Sequence, residues 1–356
     1  MLATTIIPFL VILLVLILVH ELGHFFTAKL FKIKVEEFGI FLPPRAWGKK
    51  IGETIYSINW LPLGGFVRLS GEEDPKAPGS LAGKSIPVRL VTLGAGSLMN
   101  LLLPFVLLTI AFMIPHWAGV EDASAQKVEV LVQEVRRDSP AASAGIRPGD
   151  VIVSVNGEQL SSADDYSRHI QSNLGKPITV VLRRADSSIV EVKLTPRTQW
   201  QEGEGPTGVA ISNAVKKSYN PWEALINAVK QYWQILALFT QGIAAVFRGT
   251  TPFEVAGPVG IAQVTGEVAR LGIVPLLNFA ALISINLGLV NILPLPALDG
   301  GRIVFVLLEW VRRGKRVSPE TERLIHSIGF ALLLFLLLLA TWNDIGRIMS
   351  GRGFNP

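Results

Sequence analysis

The pentapeptide His20-Glu21-Leu22-Gly23-His24 carries the residue types of a hydrolytic metal site. On a helix, residues four apart share a face, so two imidazoles would point to one place with the glutamate beside them. Neutral imidazoles are ligands for Zn²⁺, and a carboxylate so placed is a general base for water activated by the ion. The ordinary alternative is a pair of helix histidines that happen to lie one turn apart. Their setting weighs against it. The run from Ile6 to Val19 is almost uninterruptedly apolar, Phe25 and Phe26 follow, and the chain has only five histidines. Polar groups in an apolar segment are costly unless they work.

A second polar group sits in a similar setting. Leu293-Pro-Leu-Pro-Ala-Leu-Asp299-Gly-Gly301 follows a long apolar stretch, and Asp299 is its only carboxylate between Glu267 and Glu309. Two prolines and two glycines must break a helix there. A break at membrane depth is tolerable only beside a polar cavity, and a lone aspartate in it calls for a cation.

The elements that must position these residues are membrane spans. Of 356 residues 49% are hydrophobic and 17% charged, with a mean hydropathy of +0.43, which predicts a polytopic membrane protein rather than soluble domains. There is no cysteine, so any metal must be held by His, Asp, Glu or water. The net charge of +5 forms no nucleic-acid-binding stripe. The expected fold is a four-span α-helical membrane protein with a re-entrant β-loop and an inserted α+β domain.

In order, residues 1–30 form the first span, retained rather than cleaved because no basic n-region or cleavage site frames it. Lys29, Lys32, Lys34, Arg45, Lys49 and Lys50 follow, so the positive-inside rule puts the N-terminus outside and the site toward the cytoplasm. Residues 31–87 are a cytoplasmic loop in which 54–69 read as a hairpin around Pro62-Leu-Gly-Gly65. It is too apolar for a free loop and too short to span, and its edge could take an extended substrate by strand addition. A purely structural hairpin is the alternative. The second span is 88–115, with Asn100 as helix–helix glue or a neighbour of the site. Asn220-Pro221 opens a helix over 220–248, expected to lie in the outer interface with Trp222, Tyr232 and Trp233. The third, broken span is 275–312 and the fourth 325–342, returning the C-terminus outside. Arg347 and Arg352 then stand on the wrong side for the charge rule.

Between the spans, residues 126–213 have soluble composition. Ser139-Pro-Ala-Ala-Ser-Ala-Gly145-Ile-Arg-Pro-Gly-Asp150-Val-Ile-Val-Ser-Val-Asn-Gly157 resembles a PDZ domain. Gly208, Val209, Ala210 and Ile211 look like its peptide-groove strand, placed last as in circularly permuted bacterial copies. The resemblance implies a groove for an extended peptide or C-terminus, although bulk alone could also restrict access. His169 is read as an ordinary surface or packing residue.

HELGH in the first span, PLGGFVRL after it, one PDZ domain and NILPLPALDGG near the end occur in one order. Together they resemble the site-2 protease family of intramembrane zinc metalloproteases, in its bacterial regulator-of-sigma-E-protease branch, over essentially the whole chain. The resemblance implies one zinc held by His20, His24 and Asp299, with Glu21 as general base. It also places Asn286, Asn291, Gly64, Gly65 and Phe66 by the substrate. The substrates implied are single-span membrane proteins, such as anti-sigma factors or remnant signal peptides, in the bacterial cytoplasmic membrane. The PDZ domain would be outside. The departure is one PDZ domain rather than a tandem pair, which puts in doubt gating that needs two. A metal transporter would need a path of further intramembrane ligands, of which the spans supply almost none apart from Asp299, and a PDZ anchor would have no use for both motifs.

Overall fold

A computed structural model describes residues 2–120, 128–184, 186–201, 203–250 and 256–350. The chain divides into two compact units, one of residues 1–110, 224–270 and 275–356, the other of 111–223 and 271–274.

The first unit is helical. Among the described residues, four helices are long and apolar enough to cross a membrane: α1 (Leu2–Leu30, apolar from Thr5), α2 (Ile86–Met113), α7 (Ile273–Ile292) and α9 (Pro319–Met349). α9 exposes Leu332, Leu334, Phe335 and Leu338, an apolar surface suited to lipid. α8 (Asp299–Val311) continues α7 beyond the break at 293–298. α5 (Pro221–Phe247) starts where Asn220 Oδ1 accepts the Glu223 N–H, at 2.9 Å. This is the helix expected to lie in the interface. It packs Tyr232 on Phe105 of α2, with ring centroids 4.4 Å apart, and reaches Asn278 of α7 through Gln231. α6 (Pro258–Arg270) takes a tertiary cap, because buried Asp344 of α9 accepts the Gly260 N–H at 2.7 Å.

The β-structure of this unit corrects the hairpin reading of 54–69. β1 (Val35–Ile51) and β2 (Thr54–Leu69) are long and bent. Glu37–Ile40 faces Ile55–Ile58 on one side and Gly65–Arg68 on the other, while Arg45–Ile51 pairs with Thr54–Asn59. The chain thus turns back within 54–69, but Glu37–Ile40 lies between its two arms. Their partner is the preceding segment, which its prolines and charges had made look like loop. Buried Glu37 ties the layers together, accepting from Ser57 Oγ at 2.7 Å and from Arg45 at 2.7 Å. Burial alone would raise its pKa, but these partners outweigh it and hold the carboxyl below the usual range.

The second unit is a sheet in the order β3-β9-β4-β5-β7-β8, with β6 paired to β5. The strands are β3 (His116–Gly119), β4 (Glu129–Val135), β5 (Val151–Val155), β6 (Glu158–Gln159), β7 (Ile178–Arg183), β8 (Ile189–Leu194) and β9 (Val209–Lys217). The helices are α3 (Pro140–Ser143) and α4 (Ala163–Gln171), opened by the side-chain caps Ser139 and Ser162. The alternation in β7 sends Ile178, Val180 and Leu182 into a core with Val130, Ile152, Tyr166 and Ile170. Asn156 and Gly157 both take positive φ in the β5–β6 turn, as an Asn-Gly pair allows. β9 pairs with β4 through Val209–Ala214 and with β3 through Ala214–Lys217.

Candidate active site

The helical repeat of α1 brings His20 and His24 to one face, both buried, and the start of α8 carries Asp299 to the same place. His20 Nε2 and His24 Nε2 lie 3.2 Å apart, and Asp299 Oδ2 is 3.0 Å from the first and 3.3 Å from the second. The fit to zinc can be tested on these distances. With Zn–N near 2.05 Å, the ligand atoms of a tetrahedral ion stand about 3.3 Å apart. The triangle has that size.

The hydrogen bonds agree with it. His24 Nδ1 lies 2.8 Å from the Thr92 carbonyl and must donate to it, which leaves Nε2 with a lone pair. Asp299 Oδ2 is buried without a hydrogen-bond partner. Three ligand atoms within 3.3 Å of one another, converging on one point, suit a cation. The donor set of two imidazoles and one carboxylate is the chemistry of a catalytic rather than a structural zinc.

Two residues of α2 shape the site: Gly96, which the sequence did not single out, and Asn100, which it offered as helix–helix glue or a neighbour of the site. A Cβ on Gly96 would lie 2.4 Å from His24 Nε2 and 2.6 Å from His20 Nε2, so only glycine leaves the ligand atoms clear. Asn100, one turn on and fully buried, lies 3.4 Å from His20 Nδ1. The nearer amide atom is Nδ2; with the amide turned so that Oδ1 faces the ring, Asn100 would accept the His20 Nδ1–H and leave Nε2 free, the supporting role that metal-binding histidines require. The spacing Gly96-x-x-x-Asn100 matches His20-x-x-x-His24, and two faces of equal period can mesh. That is the signal that could have found them. Close approach is secured further along, where a Cβ on Gly23 would meet the Ala95 carbonyl oxygen at 2.4 Å.

The break that carries Asp299 is as tight. A Cβ on Gly300 would meet the Leu293 oxygen at 2.0 Å, and one on Gly301 the Leu295 oxygen at 2.4 Å. The two glycines after Asp299 thus let the loop fold onto the start of α8.

Glu21 is half-buried beside the histidines, and the Val67 backbone amide lies within hydrogen-bonding reach of its carboxylate. Gly64 and Gly65 rest on α1 near Ile17 and Leu18, and a Cβ on Gly65 would be 3.8 Å from Glu21 Cγ. Phe66 fills the space over Gly39. The strand Gly65–Leu69 is paired on one side by Val35–Ile40, and no strand covers its other side among the described residues. On α7, Asn286 Oδ1 is buried without a hydrogen-bond partner, and Asn291 is half-buried.

In the second unit, Gly208 has φ +74°, and a Cβ there would strike Ser139. Val209, Ala210 and Ile211 follow in β9, with α4 alongside. Asn213 Oδ1 accepts the Ala163 N–H at 2.7 Å, and the Tyr166 hydroxyl donates to Thr207 Oγ1 at 3.1 Å. His169 lies 3.4 Å from Glu158, away from these contacts.

Buried zinc-type ligands among span-length helices, with a carboxylate at hand, define a membrane metallopeptidase. Comparison with known proteins gives the same class. The chain belongs to peptidase family M50, the site-2 proteases, whose sequence model matches residues 8–336. It is 36% identical to a protein named as a zinc metalloprotease in Clostridium acetobutylicum, over 93% of this chain and 94% of that one. Another from Fusobacterium nucleatum is 34% identical over 94% and 96%. The regulator of sigma-W protease RasP of Bacillus subtilis is 30% identical over 98% of this chain and all of its own. The enzyme is a zinc metalloprotease.

Proposed function

We propose that the chain is an intramembrane endopeptidase that cuts single-span membrane proteins within or near their transmembrane segment. His20, His24 and Asp299 hold one zinc, and Glu21 moves the proton. The observation that carries the reading is the triangle of His20, His24 and Asp299 with Glu21 beside it, in a unit of span-length helices. When bound, zinc supplies a Lewis acid that polarises the scissile carbonyl and acidifies water. Glu21 accepts the proton of the attacking water as the C–O bond forms. It then returns the proton to the amide nitrogen as the C–N bond breaks. Atoms balance with one water consumed and a carboxyl and an amine released.

A helical substrate must first lose the hydrogen bonds that bury its carbonyls. The open edge of Gly65–Leu69, against the same helix face as Glu21, can replace them by strand addition. Gly64, Gly65 and Phe66 shape that edge. Asn286 and Asn291 offer amides to the unwound backbone, and buried Asn286 Oδ1 has hydrogen-bonding capacity to spare. The strand of Val209, Ala210 and Ile211, opened by Gly208, is the groove we assign to a peptide C-terminus.

The Bacillus subtilis relative is named for regulating sigma-W, and a single-span anti-sigma factor is the substrate we propose. Remnant signal peptides are a second class. The basic residues after the first span support an N-terminus outside the cytoplasmic membrane and the site toward the cytoplasm, and four spans then put the PDZ domain and the C-terminus outside, the latter against the charge of Arg347 and Arg352. The test uses purified protein with zinc and a panel of single-span peptides, with and without a bulky outer domain. Cleavage within the span by wild type and not by Glu21→Gln is expected. A zinc-loaded wild type that cuts none of them would overturn the reading.

A further inference from the structure

The loop that presents Asp299 is held in a conformation that its own sequence does not favour. Ala297, two residues before Asp299, has φ +74°, a left-handed conformation that non-glycine residues rarely adopt without help. The short hydrogen bonds within the loop, Leu295 N–H to Leu293 O at 2.7 Å and Leu298 N–H to Leu295 O at 3.3 Å, leave the Ala297 N–H unused. That group turns to α9, where His326 Nδ1 accepts it at 2.8 Å. The imidazole is braced by Phe305 of α8, with ring centroids 5.5 Å apart. Nearly one turn further along α9, buried Gly329 abuts Pro296, and a Cβ there would lie 2.2 Å from the proline Cβ. α9 therefore grips two consecutive residues of the break, one by shape and one by a directed hydrogen bond.

We propose that His326 is a positioning residue for the zinc site. By accepting the Ala297 N–H it fixes the left-handed turn, and through the turn it sets the Asp299 carboxylate against His20 and His24. This rests on the assignment of Asp299 as a zinc ligand. The role needs an acceptor at the Nδ1 position and nothing else from the ring, so it predicts which replacements work. Asparagine places its Oδ1 about where Nδ1 stands. Glutamine carries its amide too far out, and leucine has no acceptor.

The test is zinc affinity of the full chain in detergent, by competition with a chromophoric chelator, together with the visible spectrum of the Co²⁺-substituted protein. His326→Leu and His326→Gln should weaken zinc about 10- to 100-fold, the range for loss of a supporting partner, and alter the Co²⁺ bands. His326→Asn should stay within about threefold of wild type. In an Ala297→Gly background, where positive φ is free, His326→Gln should cost less than it does alone. If His326→Leu does not fold, the Asn and Gln variants decide. Equal affinity of those two, or a Gln variant indistinguishable from wild type, would overturn the proposal. Wild-type protein that takes up no zinc would instead overturn the assignment of the site itself.

Discussion

Gly96→Ala is the smallest change that should disable the site. The added carbon would stand 2.4 Å from His24 Nε2 and 2.6 Å from His20 Nε2. Ordinary contact needs about 3.5 Å, so the two rings must retreat by about 1 Å. Neither is free to do so: His24 is tied to the Thr92 carbonyl at 2.8 Å, and His20 has Asn100 behind it at 3.4 Å. Metal–ligand distances tolerate about 0.2 Å, so at least one ligand is lost. Zinc affinity should fall by more than the about 100-fold that marks the upper end for displaced supporting residues. The control lies two residues away on the same helix. A Cβ on Gly94 would meet only Ile303 Cδ1, at 3.9 Å, so Gly94→Ala should leave zinc binding intact and favour the helix by about 0.5–1 kcal/mol. The assay is chelator competition on both purified proteins, with thermal unfolding of the apo forms as the check on folding. A Gly96→Ala protein that binds zinc within about tenfold of wild type would refute the reasoning.

Glu21→Gln should retain zinc and lose cleavage, whereas Asp299→Ala should lose affinity as well; metal content of the two proteins separates the roles. Arg89 and Glu309 form a buried ion pair at 2.5 Å, and Arg316 reaches the same carboxylate at 3.0 Å. Arg89→Ala should therefore destabilise by about 3 kcal/mol, the low end for a broken buried pair because one cation remains, and Arg89→Met with Glu309→Leu should recover most of it in thermal unfolding. Burial, only partly offset by the hydrogen bond to Thr207, pushes the Tyr166 phenol up to about 12. Below pH ~10 both folded and unfolded forms are neutral and its contribution is intact. Between about 10 and 12 the unfolded form ionises first, so up to about 2.7 kcal/mol is lost as pH rises. Tyr166→Phe should flatten that part of the pH–stability curve, and a parallel curve for the variant would speak against it.

What the sequence made legible follows from how local each signal is. The histidine pair is a property of one helix, since a spacing of four fixes a shared face wherever the helix goes. Asp299 could be singled out because prolines and glycines declare a break, and a carboxylate beside a break in an apolar segment needs a reason. Gly96 and His326 were not legible in this way, and Asn100 only as either a helix contact or a neighbour of the site. Each matters for what it meets on another helix, and no local pattern says which face of α2 will abut α1 or which turn of α9 will reach Ala297. The β-structure shows the same limit in another form. Alternation marked 54–69 as extended, but period-two patterning names a face and not a partner. The partner was hidden in a stretch whose Pro43, Pro44 and lysines belong to loops elsewhere. What binds that stretch to 54–69 is Glu37, a buried charge that makes sense only once Ser57 and Arg45 are seen around it. The proposed metal ligands were thus written in local patterns, whereas the residues proposed to hold them in place are defined by contacts between helices.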